Sequence, residues 1–591
     1  MKKYFVFGLC FISQLGLIGQ IQFENIAQNA GIRHFKTEFS IGNGVSFVDF
    51  NNDGWDDLTI GTTSGKFIDF YVNEQGTFKR IFPLVTHRHE SKQINWVDFD
   101  NDGDKDLYVA SLSAPNRLYE NQGDLKMVDI TEQSKLPMND EYTYGAIWGD
   151  FDRDGWLDLY FGNHKDVQHD KYNKLFHNNG DGTFTDVSDD SGSADLNKVP
   201  FCSAFFDFNN DNWPDIYTAN DKLSFNTLLM NEGAGRFSDV SARTNTELRM
   251  NAMCVNVGDF DNDGWQDIYI TNTPVGNRLL RNLGSDNINV MPVFEEVAEE
   301  VGVGYFGHGW ASNFLDADND GDLDLYVNGS AKIRSQGNKT SIFYENMGDG
   351  TFTIPESGMG ADSATSYVNA IGDINNDGFP DIAVQNNPPY YHHLWQNSGG
   401  DNRWLKVNLT GVLSNKDAVG AKVEVYSEIG YQQRYRHCGS GFMGQNSTTL
   451  LFGLNTFAQA DSIIITWPTG HIDRLYDVAA DQIIALSEGA TTNGIIDVMP
   501  GLNIMLPTAV SSKLKPLKLD FYPNPVQDHL WITHELQGDL HYQIMDLQGK
   551  VVKKGKFSQN KIQISDVSSG SYVILMQTEQ QEIYSALFQK Q

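Results

Sequence analysis

A nine-residue acidic loop recurs seven times along this chain and constrains its fold more than any other feature. Each copy reads D-x-[D/N]-x-D-[G/N]-x-x-D and is followed by a short apolar run. The copies begin at Asp49, Asp98, Asp150, Asp207, Asp259, Asp316 and Asp373, at intervals of 49 to 57 residues. Self-similarity at such a period predicts a repeat architecture in which each copy belongs to one structural unit. We number the copies loop 1 to loop 7.

The residue types of the loop predict a bound Ca²⁺. Calcium takes six to eight oxygen ligands, which alternating carboxylates around a tight turn supply from one short segment. Gly155 stands where the backbone of loop 3 turns sharply, so we expect a positive φ there, and Asn212 replaces this glycine in loop 4. An EF-hand is excluded because its twelfth position needs a glutamate, whereas Ile60, Val109 or Phe161 stands there. A nonapeptide β-roll is excluded because its repeat is far shorter.

The predicted calcium ligands are the side chains at positions one, three, five and nine and the backbone carbonyl at position seven. The residues at these positions are Asp49, Asn51, Asp53, Trp55, Asp57, Asp98, Asp100, Asp102, Asp104, Asp106, Asp150, Asp152, Asp154, Trp156, Asp158, Asp207, Asn209, Asp211, Trp213, Asp215, Asp259, Asp261, Asp263, Trp265, Asp267, Asp316, Asp318, Asp320, Asp322, Asp324, Asp373, Asn375, Asp377, Phe379 and Asp381. Acidic turns without a metal use the same residue types. Seven complete copies favour the metal sites, up to seven in number and mainly structural in role.

Each unit surrounds its loop with short runs rich in β-branched and aromatic residues. In the third unit the pattern predicts one strand into the loop at 145–149 and one out of it at 157–162. A third strand around Leu175-Phe176-His177-Asn178 and a fourth at 183–188 flank a turn at 180–182. Four short strands per unit are typical of a β-propeller blade.

The two ends of the repeat region predict how the array closes. The seventh unit has no fourth strand before the composition changes, whereas residues 23–27 (Phe-Glu-Asn-Ile-Ala) mimic the fourth strand at 294–298. The N-terminal strand therefore completes the seventh blade and protects its edges. The predicted fold is all-β, a seven-bladed calcium-binding β-propeller closed by its N-terminal strand and followed by two small β-rich domains.

The repeats resemble the FG-GAP/VCBS repeats that also build the propellers of integrin α-subunits, as in the run from Val48 to Leu58. This resemblance covers residues 21–400. It implies that the calcium loops join the first and second strands of each blade on one face. The connections that differ most between units, at 163–174, 329–341 and 386–393, then lie on the opposite face, where they are either binding loops or tolerated insertions.

Two further resemblances divide the rest of the chain. Residues 401–489, with the runs Trp404–Leu409 and Ile465–Gly470, resemble the ASPIC/UnbV domain that follows such propellers in the cartilage acidic protein family. After a predicted linker at 490–515, residues 516–591 resemble the type A C-terminal sorting domain of the type IX secretion system of Bacteroidetes, with the run Phe521–Pro525. The second resemblance implies recognition by the type IX secretion machinery. An ordinary small β-sandwich is the alternative.

Targeting, charge and cysteine content point to an exported protein. Residues 1–20 have the form of a signal peptide, and no later stretch is apolar enough for a transmembrane span. The net charge of −34 disfavours a nucleic-acid partner. Cys202 and Cys254 precede neighbouring acidic loops, and we expect two buried thiols there, with a disulfide as the alternative. The predicted location is secreted or on the outer surface of a Bacteroidetes-like bacterium.

The sequence favours an interaction module over an enzyme. No nucleophile elbow, zinc-binding helix motif or phosphate loop occurs, so no catalytic residue and no cofactor besides Ca²⁺ is predicted. We predict a calcium-stabilised adhesion module that binds an extracellular glycan or protein through the face opposite the calcium loops. The alternative is an extracellular calcium-dependent polysaccharide-active enzyme, a lyase or hydrolase.

Overall fold

The computed structural model describes residues 21–492, with gaps at 34–37, 165–171, 234, 286, 288–289, 332–339, 356–357 and 360–361, and parts of the segment 517–590. The predicted signal peptide and most of the predicted linker lie outside the described residues. Helix is confined, in the described part, to α1 (Ser188–Ser191) and a 3-10 turn at Ala490–Thr492. The expected all-β class is therefore confirmed.

Seven sheets, units 1 to 7, account for most of residues 23–397, each with four antiparallel strands, and the sheet of unit 1 gains a fifth, parallel strand from residues 444–445. The first strand is β1 (Phe23–Asn25). Unit 1 contains β2 (Val45–Val48), β3 (Asp57–Ile60), β4 (Asp69–Asn73) and β5 (Phe78–Ile81). Unit 2 contains β6 (Ile94–Val97), β7 (Asp106–Val109), β8 (Arg117–Asn121) and β9 (Met127–Asp129). Unit 3 contains β10 (Thr143–Gly149), β11 (Asp158–Asn163), β12 (Lys174–Asn178) and β13 (Phe184–Asp186).

The remaining units repeat this order. Unit 4 contains β14 (Pro200–Phe206), β15 (Asp215–Asn220), β17 (Thr227–Asn231) and β18 (Phe237–Asp239), with a side ribbon of β16 (Ser224–Phe225) and β19 (Arg249–Met250). Unit 5 contains β20 (Val255–Gly258), β21 (Asp267–Ile270), β22 (Arg278–Asn282) and β23 (Phe294–Glu296). Unit 6 contains β24 (Gly309–Leu315), β25 (Asp324–Gly329), β26 (Ile342–Asn346) and β27 (Phe352–Thr353). Unit 7 contains β28 (Ser366–Gly372), β29 (Asp381–Asn386) and β30 (His393–Asn397).

The N-terminal strand completes the last sheet, as the sequence predicts. β1 pairs antiparallel with β30, and Phe23 lies opposite Asn397. The first strands of neighbouring units contact one another in the order β2, β6, β10, β14, β20, β24 and β28, and β28 also contacts β2. The first unit is therefore next to the last.

Every acidic loop joins the first and second strands of its unit, so the seven loops lie at the same end of their sheets. We call this end the acidic face and the other end the distal face. The first and second strands are buried along nearly their whole length, as in Val45–Val48, because both sides of each sheet pack against a neighbour. Between units 1 and 2, for example, Trp96 stacks on Phe50 with ring centroids 4.6 Å apart.

Residues 403–492 form a second β-rich body, which we call the capping unit. Its strands are β31 (Arg403–Thr410), β32 (Lys422–Ser427), β33 (Gly430–Tyr435), β34 (Gly444–Gln445), β35 (Leu450–Asn455), β36 (Gln459–Thr466), β37 (Ile472–Ala479) and β38 (Gln482–Ser487). Seven of these strands make a three-stranded sheet, β35-β31-β38, and a four-stranded sheet, β33-β32-β36-β37, whereas β34 joins the sheet of unit 1. The core between them includes Leu405, Val423, Ile463 and Trp467.

The C-terminal segment holds two further sheets. Its strands are β39 (Leu517–Lys518), β40 (Phe521–Tyr522), β41 (His529–Ile532), β42 (Leu540–Asp546), β43 (Val551–Phe557), β44 (Lys561–Gln563), β45 (Gly570–Gln577) and β46 (Ile583–Lys590). The sheets have the orders β39-β46-β45-β42-β43 and β40-β41-β44. Among the described cysteines, Cys202, Cys254 and Cys438 are free and buried, so the alternative of a disulfide between the first two is wrong.

Candidate metal centres in the seven acidic loops

The first carboxylate of each loop folds the loop around itself. In loop 3, Asp150 Oδ1 accepts the backbone N–H of Asp154 at 3.0 Å, and Asp150 Oδ2 accepts that of Gly155 at 3.0 Å. The turn requires left-handed backbone at two positions, with φ of 61° at Arg153 and 92° at Gly155. Asn212 in loop 4 has φ of 65°, so the expected positive φ at position six is confirmed in both loops.

The ninth position ties the loop to the body of the sheet. Asp158 Oδ2 accepts the N–H of Phe151 at 3.1 Å, and its Oδ1 accepts the N–H of Asn178 in the third strand at 2.8 Å. The same two acceptor roles recur in all seven loops, at Asp57, Asp106, Asp158, Asp215, Asp267, Asp324 and Asp381. The carboxylate is therefore fixed in orientation before any ion binds.

Carboxylate oxygens converge in four of the loops closely enough to hold one ion. Within each set the offered oxygens all lie within 4.8 Å of one another, and the sets are Asp98, Asp100 and Asp106; Asp150, Asp152 and Asp158; Asp259, Asp261 and Asp263; and Asp316, Asp318 and Asp320. Loops 1, 4 and 7 have an asparagine at position three. There Asn51, Asn209 and Asn375 donate to the carboxylate at position five, at 2.8 to 3.0 Å. The seventh residue of every loop donates its N–H to the same carboxylate, for example Trp156 to Asp154 at 2.9 Å.

The donor set fits a hard cation such as Ca²⁺. Asp98 Oδ1, Asp152 Oδ1 and Asp261 Oδ1 are buried and accept no hydrogen bond, so these three oxygens have no hydrogen-bond partner within the protein. Calcium prefers oxygen ligands of this kind, several of them anionic. When bound, the cation would be the partner that these oxygens lack and would hold the two ends of each loop together.

The protonation equilibria of the loops reflect the same crowding of negative charge. Burial raises the pKa of Asp57 to about 8, and the charges of Asp49 and Asp53 raise it further against the hydrogen bond from Asn73. Burial likewise raises the pKa of Asp106 to about 9. Several buried carboxylates close together favour the neutral form unless a cation is present. A bound divalent cation would therefore keep these groups ionised.

A chain of asparagine side chains links consecutive loops. The fourth position of loop 1 is Asn52, whose Nδ2 donates to the carbonyl of Gly103 in loop 2 at 3.0 Å. The same contact joins loops 2 and 3, 4 and 5, 5 and 6, and 6 and 7. Asn376 of loop 7 donates to the carbonyl of Gly54 in loop 1 at 3.0 Å. Sequence reasoning missed this link, although asparagine stands at that position in six of the seven loops.

A second buried asparagine ends every third strand. Asn178 Nδ2 donates to the carbonyl of Leu157 in its own unit at 3.1 Å and to that of Phe99 in unit 2 at 2.8 Å. Its Oδ1 accepts the N–H of Gly180 at 3.1 Å. In unit 1 the equivalent Asn73 donates to the carbonyl of Ile374 in unit 7 at 3.0 Å. The signal in the sequence is an asparagine two residues before the turn glycine.

Replacing Asn178 by alanine is expected to lower the free energy of unfolding by about 2–3 kcal/mol, because two buried carbonyls and one buried N–H lose their partner. Urea unfolding followed by intrinsic fluorescence measures the change. The matched control is Asn179→Ala at the exposed neighbouring position, which we expect to change stability by no more than about 0.5 kcal/mol. Equal effects of the two substitutions would contradict the linking role of Asn178.

The capping unit lies over the acidic face and forms hydrogen bonds with at least six of the seven loops. Its Gln433 Nε2 donates to Asp259 Oδ2 at 3.0 Å, its Gly453 N–H to Asp316 Oδ2 at 3.1 Å, and its Lys406 Nζ to Asp373 Oδ2 at 2.6 Å. Further contacts join Ser447 to Asp56, Lys416 to Asn101, and Pro468 to Arg153. Asp259, Asp316 and Asp373 are first-position carboxylates, and the cap contacts the Oδ2 atom that also accepts a loop N–H.

Arg153 explains the one gap in the chain of asparagines. Loop 3 has arginine at the fourth position, where six loops have asparagine. Its Nε donates to the carbonyl of Pro468 in the capping unit at 2.5 Å. The fourth residue of loop 3 therefore bonds to the capping unit, whereas the asparagines at this position bond to the next loop.

A segment of the capping unit, residues 436–447, lies in the space between first strands of the units. We call it the channel segment. Its strand β34 pairs parallel with β2, and the carbonyl of Cys438 accepts the N–H of Trp148 at 2.9 Å. Gln445 binds the backbone of Trp96 through both of its side-chain ends, at 2.7 and 2.8 Å. The channel segment therefore replaces solvent along the inner strands.

An aromatic side chain of the channel segment fills the distal end of this space. Phe442 is fully buried, and its ring centroid lies 6.1 Å from Tyr144, 5.5 Å from Phe201 and 5.2 Å from Trp310. The segment fits because it carries glycine at the closest approaches. A Cβ on Gly439 would lie 2.6 Å from the carbonyl oxygen of Ala146. Sequence reasoning assigned the segment to a separate domain and missed its insertion, although Gly439, Gly441 and Gly444 mark a backbone made for close contact.

Comparison with known proteins identifies the three parts of the chain. The FG-GAP-like repeat family matches residues 49–109, 98–161, 167–218, 207–270, 259–327 and 316–384, which together are more than half of the chain. The chain belongs to the FG-GAP-like repeat family. The ASPIC and UnbV family matches residues 411–493, within and just beyond the capping unit, and the secretion system C-terminal sorting domain matches residues 520–589.

Cartilage acidic protein 1 is similar to part of this FG-GAP repeat protein. The human protein is 26% identical over 305 residues, which are 50% of this chain and 37% of the human protein. The mouse protein is 26% identical over 308 residues, 50% of this chain and 38% of its own. The chain thus spans well under half of the length of these relatives.

Solved structures show only distant similarity. BBS1N in complex with ARL6DN, soaked with lead, gives a TM-score of 0.36 at 10% identity, covering 61% of this chain and 93% of that chain. PorZ, a surface component of the type IX secretion system of Porphyromonas gingivalis, gives a TM-score of 0.22 at 11% identity, covering 93% and 81%.

The sorting tail determines where this FG-GAP repeat protein is found. A C-terminal sorting domain of this kind indicates a secreted or outer-surface protein of a Bacteroidetes bacterium, and it implies contact with the type IX secretion machinery. Among the described residues, no helix is both long and apolar enough to cross a membrane.

Proposed function

We propose that the protein is a calcium-stabilised interaction module whose seven units are the blades of a closed seven-bladed β-propeller. The contact between β28 and β2 supports closure, as do the hydrogen bonds from Asn376 to Gly54 and from Asn73 to Ile374. The converging carboxylates of loops 2, 3, 5 and 6 support one Ca²⁺ per loop. The ions would be structural, because the capping unit covers the face on which they bind.

The distal face is the proposed binding surface for an extracellular glycan or protein. One observation carries this proposal: exposed large apolar side chains of the described repeats concentrate in the distal loops. Those in the distal loops include Phe39, Ile41, Phe82, Val85, Met138, Leu196, Leu223, Phe225, Val275, Phe306 and Tyr391. Leu283, Val290 and Met347, between third and fourth strands, are exposed at the other end. Apolar groups that collect on one face of a soluble protein mark an interaction site. The acidic face is already occupied by the capping unit, so a partner has the distal face available.

A glycan array of the full chain, with calcium and after EDTA, tests this function. We expect the double variant Phe306→Ser/Val275→Ser to weaken binding about tenfold or more, since apolar anchors carry most of the affinity of an interface. Phe306 and Val275 are 52% and 65% exposed. The matched control is Leu283→Ser, 51% exposed in the third-to-fourth-strand turn of the same unit at the acidic face. Binding that is lost in the control and kept in the double variant would contradict the assignment of the distal face.

A polysaccharide-active enzyme is the second candidate, favoured by titratable groups at the distal end of the channel. His164 stacks on Phe201 and His308 on Trp310, with ring centroids 4.0 and 5.2 Å apart. Asp221 Oδ2 lies 4.0 Å from His164 Nε2. An imidazole beside a carboxylate is suited to proton transfer. New reducing or unsaturated ends in the same glycan incubations would favour this function over simple binding.

A further inference from the structure

The residue that precedes the third-strand asparagine lies at the same register position in every unit and differs in charge from one unit to the next. We call it the pre-asparagine residue. It is half-buried in all seven third strands, whereas the asparagine that follows it is buried. In chain order the seven pre-asparagine residues are Val72, Glu120, His177, Met230, Arg281, Glu345 and Gln396. The residue type at this position differs from unit to unit, whereas the acidic loop next to it has the same pattern in every unit.

The two basic pre-asparagine side chains approach carboxylates at the third or fifth position of the loop in their own unit. Arg281 Nε lies 3.6 Å from Asp261 Oδ2 in loop 5, and His177 Nε2 lies 3.1 Å from Asp152 Oδ2 and 3.4 Å from Asp154 Oδ2 in loop 3. Arg281 Nε is buried and donates no hydrogen bond. At 3.6 Å, Nε thus faces Asp261 as a charge and makes no hydrogen bond to it.

Glutamate at the same position adds negative charge to two loops. Glu120 is the fourth residue of β8 in unit 2, the position that Arg281 has in β22, and it is half-buried. Glu345 is the fourth residue of β26 in unit 6 and is likewise half-buried. These two loops also have a fifth aspartate, Asp104 or Asp322, at position seven. The extra glutamate therefore stands beside the two most acidic loops.

We propose that the pre-asparagine residue sets the calcium affinity of the loop beside it, so that Glu120 and Glu345 strengthen loops 2 and 6 and Arg281 weakens loop 5. Calcium affinity in oxygen sites is tuned by the number of charged ligands and by their rigidity. A carboxylate beside the site attracts the ion, whereas a resident guanidinium already neutralises Asp261 and repels it. The inference rests on the calcium binding in the proposed function and orders the seven sites among themselves.

Terbium luminescence reads individual loops, because a tryptophan at position seven sensitises a bound Tb³⁺. Trp265 provides this reporter in loop 5 and Trp55 in loop 1, and Trp265→Phe identifies the signal of loop 5 in the full chain. We expect Arg281→Gln to raise the Tb³⁺ affinity of loop 5, and the Ca²⁺ affinity measured by displacement, about tenfold. The matched control is Arg278→Gln on the same strand, β22, at its distal end, which leaves loop 5 unchanged.

Loop 1 provides an independent gain-of-charge test. Val72→Glu is expected to raise the affinity of loop 1 several-fold over Val72→Gln, since the two variants differ in charge and little in size. Circular dichroism checks that each variant folds, and Arg281→Met replaces Arg281→Gln if the latter does not. Unchanged affinity of loop 5 on removal of Arg281, or equal affinities of the two Val72 variants, overturns the inference. The absence of any sensitised emission that Ca²⁺ displaces in the unsubstituted chain instead overturns the calcium sites of the proposed function.

Discussion

Removing calcium with EDTA is expected to lower the melting temperature of the full chain by about 10 °C or more. Each filled site would contribute about 1–2 kcal/mol at millimolar calcium, because the ion would bind the folded loop and not the unfolded chain. Without it, buried oxygens such as Asp98 Oδ1 and Asp261 Oδ1 stay without a hydrogen-bond partner. Differential scanning calorimetry with calcium, with EDTA, and after calcium is restored measures the shift.

Chelation is also expected to loosen the capping unit. Its contacts with Asp259, Asp316 and Asp373 depend on the orientation of the first carboxylate, which the ion would hold from the other side. Hydrogen exchange in residues 436–447 should therefore become faster in EDTA than in calcium. Magnesium is the matched control ion, since it demands a smaller octahedral site and keeps its water ligands. A melting temperature that does not respond to EDTA would mean that the acidic loops stand without a metal.

Replacing Phe442 by alanine is expected to lower the free energy of unfolding by about 3–5 kcal/mol, the usual cost of removing a fully buried aromatic ring. The ring is fully buried and packs against Tyr144, Phe201 and Trp310 from three different units. Its loss would leave a cavity at the distal end of the channel that the rigid strands around it cannot close.

The matched control for Phe442→Ala is Tyr476→Ala, an aromatic residue of the same capping unit that is 67% exposed. We expect the control to change stability by no more than about 0.5 kcal/mol. Urea unfolding of both variants in calcium measures the difference. A loss of stability as small as that of the control would contradict the insertion of the channel segment between the units.

Local patterns in the sequence predicted most of the repeat region. The acidic loops, the turn at Gly155 and the pairing of residues 23–25 with the last unit follow from a motif, a backbone requirement and an internal likeness. Such features are readable because each depends on residues close together in the chain or on repetition of one unit. In loops 2, 3, 5 and 6, carboxylates at positions chosen from the motif converge closely enough to hold a metal ion.

The links between units were harder to predict, although they repeat. Asn52 and Asn178 each look like a turn residue in a single sequence. Their partners, Gly103 and Phe99, belong to neighbouring units. The packing of one sheet on the next determines which carbonyl each asparagine can reach. The spacing of residues along the chain does not predict this packing.

The sequence by itself determined the repeat, its number of copies, the acidic donor sets, and the resemblances that place the protein outside the cell. Only the tertiary structure decided that the capping unit covers the acidic face and inserts a segment among the first strands, where Ser46 Oγ donates to Gln445 Oε1 at 2.9 Å. These two residues are 399 positions apart. A contact of that kind arises from complementary shape and hydrogen-bonding groups on two separately folded surfaces. No periodic pattern in the sequence of either surface predicts that the two surfaces are in contact.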